Sequence, residues 1–194
     1  MNGKKRFNPD NAHLLFSEER RASLPPEQVL RYLKVKREDE VADLGAGNGY
    51  FTIPLARLTD RVVQAVDIEP RMLAMLKENA EREQVGNIRF IESDLEALPL
   101  EDSSADKVLT TFAIHEVGDP EKMLQEIRRI LKPGGMLLLT EWEEVEMREG
   151  PRKSQLIPSG KLLAAVSRSG FAAERIRLNS AQYALRAYVK NRGK

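Results

Sequence analysis

Two hydrophobic periods alternate along the chain. Short apolar runs read as buried strands, and between them lie stretches with apolar residues every three or four positions, which read as helices. The first run, Val41-Ala42-Asp43-Leu44, ends in Gly45-Ala46-Gly47-Asn48-Gly49. A helix carrying Phe51, Ile53, Leu55, Ala56 and Leu58 follows, then a second strand over 61–67. Pro70 opens another helix, with Met72, Leu73, Met75, Leu76 and Ala80 on one face and Gly86 as its stop. Residues 87–92 and 105–111 read as the third and fourth strands. Asp119-Pro120-Glu121 is a helix start built from a capping carboxylate, proline in the first turn and an acid beside it. That helix buries Met123, Leu124, Ile127, Ile130 and Leu131 and is ended by Pro133-Gly134-Gly135. Residues 136–141 then form a continuous apolar strand of the kind covered on both faces.

The ends depart from this rhythm. Residues 1–24 read as a polar, irregular extension with one apolar cluster at Leu14, Leu15 and Phe16. The domain proper spans 25–194, opening with a short helix from Pro25-Pro26-Glu27 through Leu33. A helix over 159–169 stops at Gly170, and 171–178 reads as a strand. Only Asn179-Ser180-Ala181-Gln182 separates it from the next strand, 183–190. Parallel neighbours need a crossover of about a dozen residues, so these two strands are antiparallel. The expectation is an α/β fold with a doubly wound, mostly parallel sheet and an antiparallel end.

Composition narrows the function classes. With 31 basic against 30 acidic residues the formal charge is +1, which gives no bulk attraction to nucleic acid or an anionic membrane. The short basic ends, Lys4-Lys5-Arg6 and 190–194, read as solvated tails. There is no cysteine, hence no disulfide, thiolate chemistry or cysteine metal site, and two histidines do not make a histidine-rich one. No apolar run reaches the roughly 18 residues of a membrane span, and a signal-peptide core is missing, so a cytoplasmic protein is expected.

The glycine loop is the first chemical signal. Ligands of open parallel sheets bind beyond the carboxyl ends of the strands, where glycines let backbone approach closely. A dinucleotide fingerprint would place its third glycine at position 50, which is Tyr50; here it comes one residue early, at Gly49. The second signal is Asp67, ending the next strand, where a carboxylate can accept from both hydroxyls of a ribose. The third is Asp94-Leu95, after the third strand: a carboxylate to accept from an exocyclic amine and a backbone amide to donate to a ring nitrogen. Nicotinamide enzymes share the first two signals and have no use for the third.

These segments, VADLGAGNGYFT (41–52), AVDIEPRML (65–73), ESDLEALPL (92–100), ADKVLTTFAIHEVGDP (105–120) and LKPGGMLLLTEW (131–142), resemble the successive motifs of class I S-adenosylmethionine-dependent methyltransferases. The branch they are most similar to contains the ubiquinone and menaquinone C-methyltransferases and many small-molecule enzymes. The resemblance runs from about residue 25 onward and implies a seven-stranded sheet with its last strand inserted antiparallel. It also implies S-adenosylmethionine as cofactor and a small-molecule methyl acceptor. Carried onto this chain, it gives Gly45, Ala46 and Gly47 to the methionine part of the cofactor, with Asp43 serving its ammonium. Asp67 takes the ribose hydroxyls, Ile68 and Met72 pack on the adenine, and Asp94 and Leu95 recognise its edge. Thr111 and Phe112 form the floor near the sulfonium. The chain departs from the pattern at Glu69, where a small capping residue is usual. Thr110-Thr111-Phe112-Ala113 stands where amide and adenine N-methyltransferases carry Asn/Asp-Pro-Pro-Tyr, which argues against a nucleobase or glutamine amine as acceptor.

Methyl transfer from a sulfonium is an in-line displacement whose leaving group needs no proton, so a base is required only for a hydroxyl or acidic-carbon acceptor. His115 is the candidate catalytic base, with Glu116 beside it; the other reading is a structural histidine under the following loop. Trp142 reads either as a substrate wall or as a partly buried aromatic at a strand end. Residues 1–24 read as a cofactor lid, with Phe7, Phe16 and Arg20 the residues concerned, or as a loose tail. Acceptor specificity is expected in 142–155. A nicotinamide-dependent oxidoreductase and a non-catalytic S-adenosylmethionine-binding protein are the alternatives.

Overall fold

The computed structural model describes residues 6–144 and 156–190. Seven strands, β1 (Val41–Leu44), β2 (Val63–Asp67), β3 (Ile88–Glu92), β4 (Ala105–Thr111), β5 (Leu131–Trp142), β6 (Phe171–Arg177) and β7 (Gln182–Val189), form one sheet. Their order is β3-β2-β1-β4-β5-β7-β6. β3 through β5 are parallel, and β7 runs antiparallel to both β5 and β6. The doubly wound, mostly parallel sheet with an antiparallel end is therefore the fold. The β6–β7 hairpin closes with the Leu178 and Asn179 amides donating to the Gln182 carbonyl.

The helices are α1 (Glu18–Ser23), α2 (Pro26–Leu30), α3 (Thr52–Ala56), α4 (Pro70–Arg82), α5 (Pro120–Ile130) and α6 (Ser159–Arg168). Strand residues alternate between two apolar layers. Val108, Leu137, Leu139 and Leu185 pack with Met123, Leu124, Ile127 and Ile130 of α5 and with Leu162 and Val166 of α6. Leu109, Met136, Leu138 and Ala184 pack on the opposite face with Val29, Leu30, Phe51 and Leu55. Leu73, Leu76 and Ala80 of α4 cover Ala65 and Ile53. Each fully buried side chain of this size contributes about 1.5–3 kcal/mol relative to exposure, so the four of α5 alone fix that helix to the sheet. Asp119 caps α5 by accepting from the Glu121 and Lys122 amides. Glu69, the residue out of pattern, caps α4 by accepting from the Arg71 amide; its longer carboxylate does the work of the smaller side chain.

Several boundaries differ from the sequence expectation. Leu131 does not end α5 but begins β5, extended and paired with Ala105. Pro133-Gly134-Gly135 lies inside β5 as an irregularity: Leu131 faces Ala105, and Met136 already faces Lys107, so the intervening residues loop outward. α4 stops at Arg82 rather than near Gly86, and Gln84 takes the left-handed conformation that turns the chain. The N-terminal segment is ordered rather than irregular. Pro9–Phe16 is a 3₁₀ segment started by Asn8, whose side chain accepts from the Asp10 amide, and Ser17 caps α1 by accepting from the Arg20 amide.

Gly49 stands at φ +96°, and a Cβ there would lie 2.2 Å from Leu76 Cδ1 and 3.2 Å from Ile53 Cδ1. Gly134, at φ +76°, has nothing within 4 Å of such a Cβ. Gly49→Ala should therefore cost about 2 kcal/mol or more, from strain plus overpacking, and lower the melting temperature by roughly 4 °C or more. Gly134→Ala should cost only about 1 kcal/mol, since it meets strain alone. Equal losses in thermal melts of the two variants would remove the crowding argument.

Candidate cofactor and active site

The carboxyl ends of β1, β2, β3 and β4 lie side by side, and the loop leaving β1 is bound to the end of β2. The Gly45 and Ala46 amides both donate to the Val66 carbonyl, at 2.8 and 3.0 Å. The Gly47 amide donates to Asp67 Oδ2 at 2.7 Å, and the Glu69 amide to Oδ1 at 3.0 Å. Each carboxylate oxygen has a second lone pair, so Asp67 is oriented by backbone and still able to accept from a diol. Burial raises its pKa, against the lowering effect of these amide bonds. Gly45 is pressed on the β4 end, where a Cβ would fall 2.6 Å from the Ala113 Cβ. Leu95 Cδ1 and Met72 Cε reach the same loop, 4.0 and 3.5 Å from the Cβ positions of Gly45 and Gly47.

Asp43 is buried under this loop. Thr52 Oγ1 donates to its Oδ2 at 2.7 Å, while Oδ1 is buried without a hydrogen-bond partner. Burial pushes its pKa up to about 7, the Thr52 hydroxyl opposing and Asp67 adding to the rise. An orphaned carboxylate oxygen beside a backbone cradle fits a ligand that brings a cation. Thr52 was not singled out in the sequence, and a threonine in the first turn of a helix gave no signal of this role.

The other sequence candidates divide by exposure. Ile68 and Thr111 are half-buried at the ends of β2 and β4, next to the loop. Leu95 is buried, whereas Asp94 is exposed and uses Oδ1 to accept from the Glu96 amide at 3.0 Å. Phe112 sits just past β4 at φ +56°, a left-handed conformation that a bulky residue rarely takes. Its ring leans on Trp142, with centroids 4.8 Å apart.

His115 is buried, and its Nδ1 lies 2.8 Å from Oε2 of the fully buried Glu141, whose Oε1 accepts from the Trp142 amide at 2.9 Å. The Nε2 side faces Glu116 Oε1 at 3.7 Å. Burial raises the Glu116 carboxyl, with Asp67 and Glu141 adding to the effect. The pairing of His115 with Glu141 was not legible in the sequence, because 26 residues separate them and only the β4–β5 adjacency joins them.

The N-terminal segment crosses this end of the sheet. The Phe7 amide donates to Glu116 Oε2 at 3.1 Å, Asn48 Nδ2 donates to the Ala12 carbonyl at 2.8 Å, and the Phe16 ring meets Tyr50 edge-on at 5.5 Å. The Arg20 guanidinium lies 5.2 Å from the ring centres of both Tyr50 and Phe112. Of the stretch expected to set specificity, 145–155 lies outside the described residues, as do Lys4, Lys5 and 191–194. Among the described residues no helix is long and apolar enough to cross a membrane.

A seven-stranded sheet in this order, with a glycine loop against one carboxylate and an orphaned carboxylate beneath it, defines a nucleoside-binding α/β protein of the methyltransferase type. Residues 42–139 match the family described as "Methyltransferase domain". The chain is 34% identical to the ubiquinone/menaquinone biosynthesis C-methyltransferase of Enterobacter sp. (strain 638) over 170 residues, 82% of this chain and 67% of that protein. It is 34% identical to the protein of the same name from Pseudoalteromonas translucida (strain TAC 125) over 177 residues, 86% and 70% of the two chains. The structure of a SAM-dependent methyltransferase from Aquifex aeolicus superposes with a TM-score of 0.88 at 23% identity, covering 95% of this chain and 100% of that one. The chain belongs to the class I S-adenosylmethionine-dependent methyltransferases, and S-adenosylmethionine is its cofactor.

The folded-state pKa of Asp43 lies above its ordinary 3.8. Its contribution to stability is therefore complete below about pH 4 and is lost as pH rises toward 7, where the buried group must ionise away from water with only the Thr52 hydroxyl to favour the charge. Asp43→Asn should melt like the parent near pH 4 and above it at pH 8, by an amount on the order of a few kcal/mol, while binding S-adenosylhomocysteine more weakly. A stability difference that does not change with pH would show that Asp43 titrates normally.

Proposed function

We propose that the chain methylates a small-molecule acceptor lying against Phe112 and Trp142, with His115 removing the acceptor's proton. The observation that carries this reading is the buried His115–Glu141 pair at the ends of β4 and β5, beside those two rings. S-adenosylmethionine supplies an electrophilic methyl group, and its thioether leaves without protonation. The protein's own task is then to exclude water, hold the acceptor in line and deal with the acceptor's proton. With the Nδ1 proton given to Glu141, Nε2 is the basic nitrogen of His115. Two similar proteins are named as C-methyltransferases of ubiquinone and menaquinone biosynthesis, which supports an aromatic carbon acceptor. Such a carbon bonds the incoming methyl and must then release its ring proton, and His115 accepts it.

In the same reading Asp43 faces the methionine ammonium, Gly45, Ala46 and Gly47 carry the methionine backbone, and Asp67 accepts from the ribose. Ile68 and Met72 pack on the adenine, Asp94 and Leu95 meet its edge, and Thr111 and Phe112 floor the reaction centre. The segment 6–24 acts as the lid, and its bonds from Phe7 to Glu116 and from Asn48 to Ala12 support that role.

Calorimetry on the purified protein should show S-adenosylhomocysteine binding in the micromolar range and no binding of NADH. Asp67→Ala should weaken the nucleoside by roughly tenfold or more, since two charge-assisted bonds of about 1.5–3 kcal/mol each are removed. An unchanged dissociation constant would place the ribose elsewhere.

With an acceptor in hand, His115→Ala should lower turnover by about 10²–10⁴-fold with nucleoside affinity intact. Glu141→Gln should lower it less and shift the acid limb of the pH–rate profile. A stable His115 variant with full turnover would sink the base assignment.

A further inference from the structure

Among the described residues, Arg20 has no counter-charge. Its guanidinium is always protonated, and burial lowers its pKa, so the surroundings penalise the charge it carries. Among the described residues, its buried Nε has no hydrogen-bond partner and no carboxylate pairs with it. The other arginines of the N-terminal half that lie near a carboxylate use it: Arg37 pairs with Asp60, Arg57 with Glu83, Arg61 with Glu40 and Arg71 with Asp10. What holds Arg20 instead is a pair of aromatic faces, Tyr50 and Phe112, each 5.2 Å from Cζ. Ring faces orient the planar fork and leave its edge donors unspent.

The two rings also locate it. Tyr50 follows the glycine loop, and its hydroxyl is fixed by donating to the Leu24 carbonyl at 2.9 Å. Phe112 follows β4 and carries Trp142 on its ring. Arg20 therefore spans the gap between the loop and the aromatic floor, brought there by α1, whose start Ser17 caps. Surface packing does not call for a half-buried, unpaired guanidinium between two ligand-side elements, since a methionine or leucine would pack there without losing hydration.

We propose that Arg20 is an oxyanion receptor at the mouth of the cleft, its fork taking a carboxylate of a bound small molecule in bidentate fashion. The carboxylate has two possible sources: the methionine end of the cofactor, beside Tyr50, or an acidic group on the acceptor, over Phe112. The inference rests on placing the ligand cleft between the β1 loop and Phe112, as proposed above.

The test is calorimetry with the full chain and three probes. These are S-adenosylhomocysteine, its decarboxylated analogue S-adenosyl-3-thiopropylamine, and benzoate added to protein saturated with the amine analogue. Arg20→Met keeps the packing volume and removes the charge; Arg20→Lys keeps the charge and removes the fork. If the cofactor is the source, Arg20→Met should weaken S-adenosylhomocysteine by about ten- to a hundredfold and leave the amine analogue unchanged. If the acceptor is the source, both nucleosides should bind the variant like the parent, while benzoate binding is lost. Arg20→Lys should fall between parent and Arg20→Met in whichever arm responds. The proposal is overturned if Arg20→Met binds all three probes as the parent does, or weakens both nucleosides equally. It is also overturned, with no variant needed, if the parent binds the two nucleosides equally and ignores benzoate. Failure of the underlying cleft assignment looks different: the parent binds neither nucleoside.

Discussion

Where β1 ends, the backbone must turn sharply, and the end of β2 holds it in that turn. The Val66 carbonyl takes two amides of the loop and the Asp67 carboxylate takes a third. Everything at the ligand end depends on this arrangement. It presses the loop against Ala113, just past β4, and lets Leu76 of α4 approach Gly49. It also leaves Asp43 covered, with one oxygen tied to Thr52 and the other without a hydrogen-bond partner among the described residues. A group that binds here therefore meets a rigid surface in which backbone, not flexible side chains, sets the geometry, and pre-set groups lose little entropy on binding.

Around that fixed point the electrostatics are unbalanced by design of the fold. Asp43, Asp67 and Glu116 are all pushed toward protonation by burial, and each is further raised by neighbouring carboxylates. A cleft with three buried acids gains from a ligand that is itself cationic, since a positive charge favours their ionised forms. The opposite imbalance lies about Arg20, held only by ring faces. With Arg20 at the mouth of the cleft, as proposed, buried acids and a guanidinium together suit a zwitterionic ligand.

Much of the fold was legible because periodicity and connection length are local. The four-residue link between β6 and β7 forces an antiparallel pair by its length alone. The Asp119 cap and the apolar face of α5 were equally plain. Leu131 was misjudged because an apolar residue after Ile130 continues either a helix face or a strand, and only its pairing with Ala105 decides. The N-terminal 3₁₀ segment and α1 were missed although Asn8 and Ser17 carry cap signals, since neither segment has an apolar stripe of its own. In the site, residues at strand ends were found by position. Thr52 and Glu141 acquired their partners only through packing, and no spacing in the sequence announces those pairs.

The strand order has a consequence for how the molecule is made. β7 follows β6 in the chain yet sits between β5 and β6 in the sheet. As the polypeptide emerges from the ribosome, β6 thus arrives before the strand it needs, and the apolar edge of β5 from Met136 to Leu139 stays unpaired meanwhile. Open apolar edges recruit neighbouring chains. The nascent protein is consequently most at risk of association between the emergence of β5 and that of β7, and insertion of one hairpin ends that exposure.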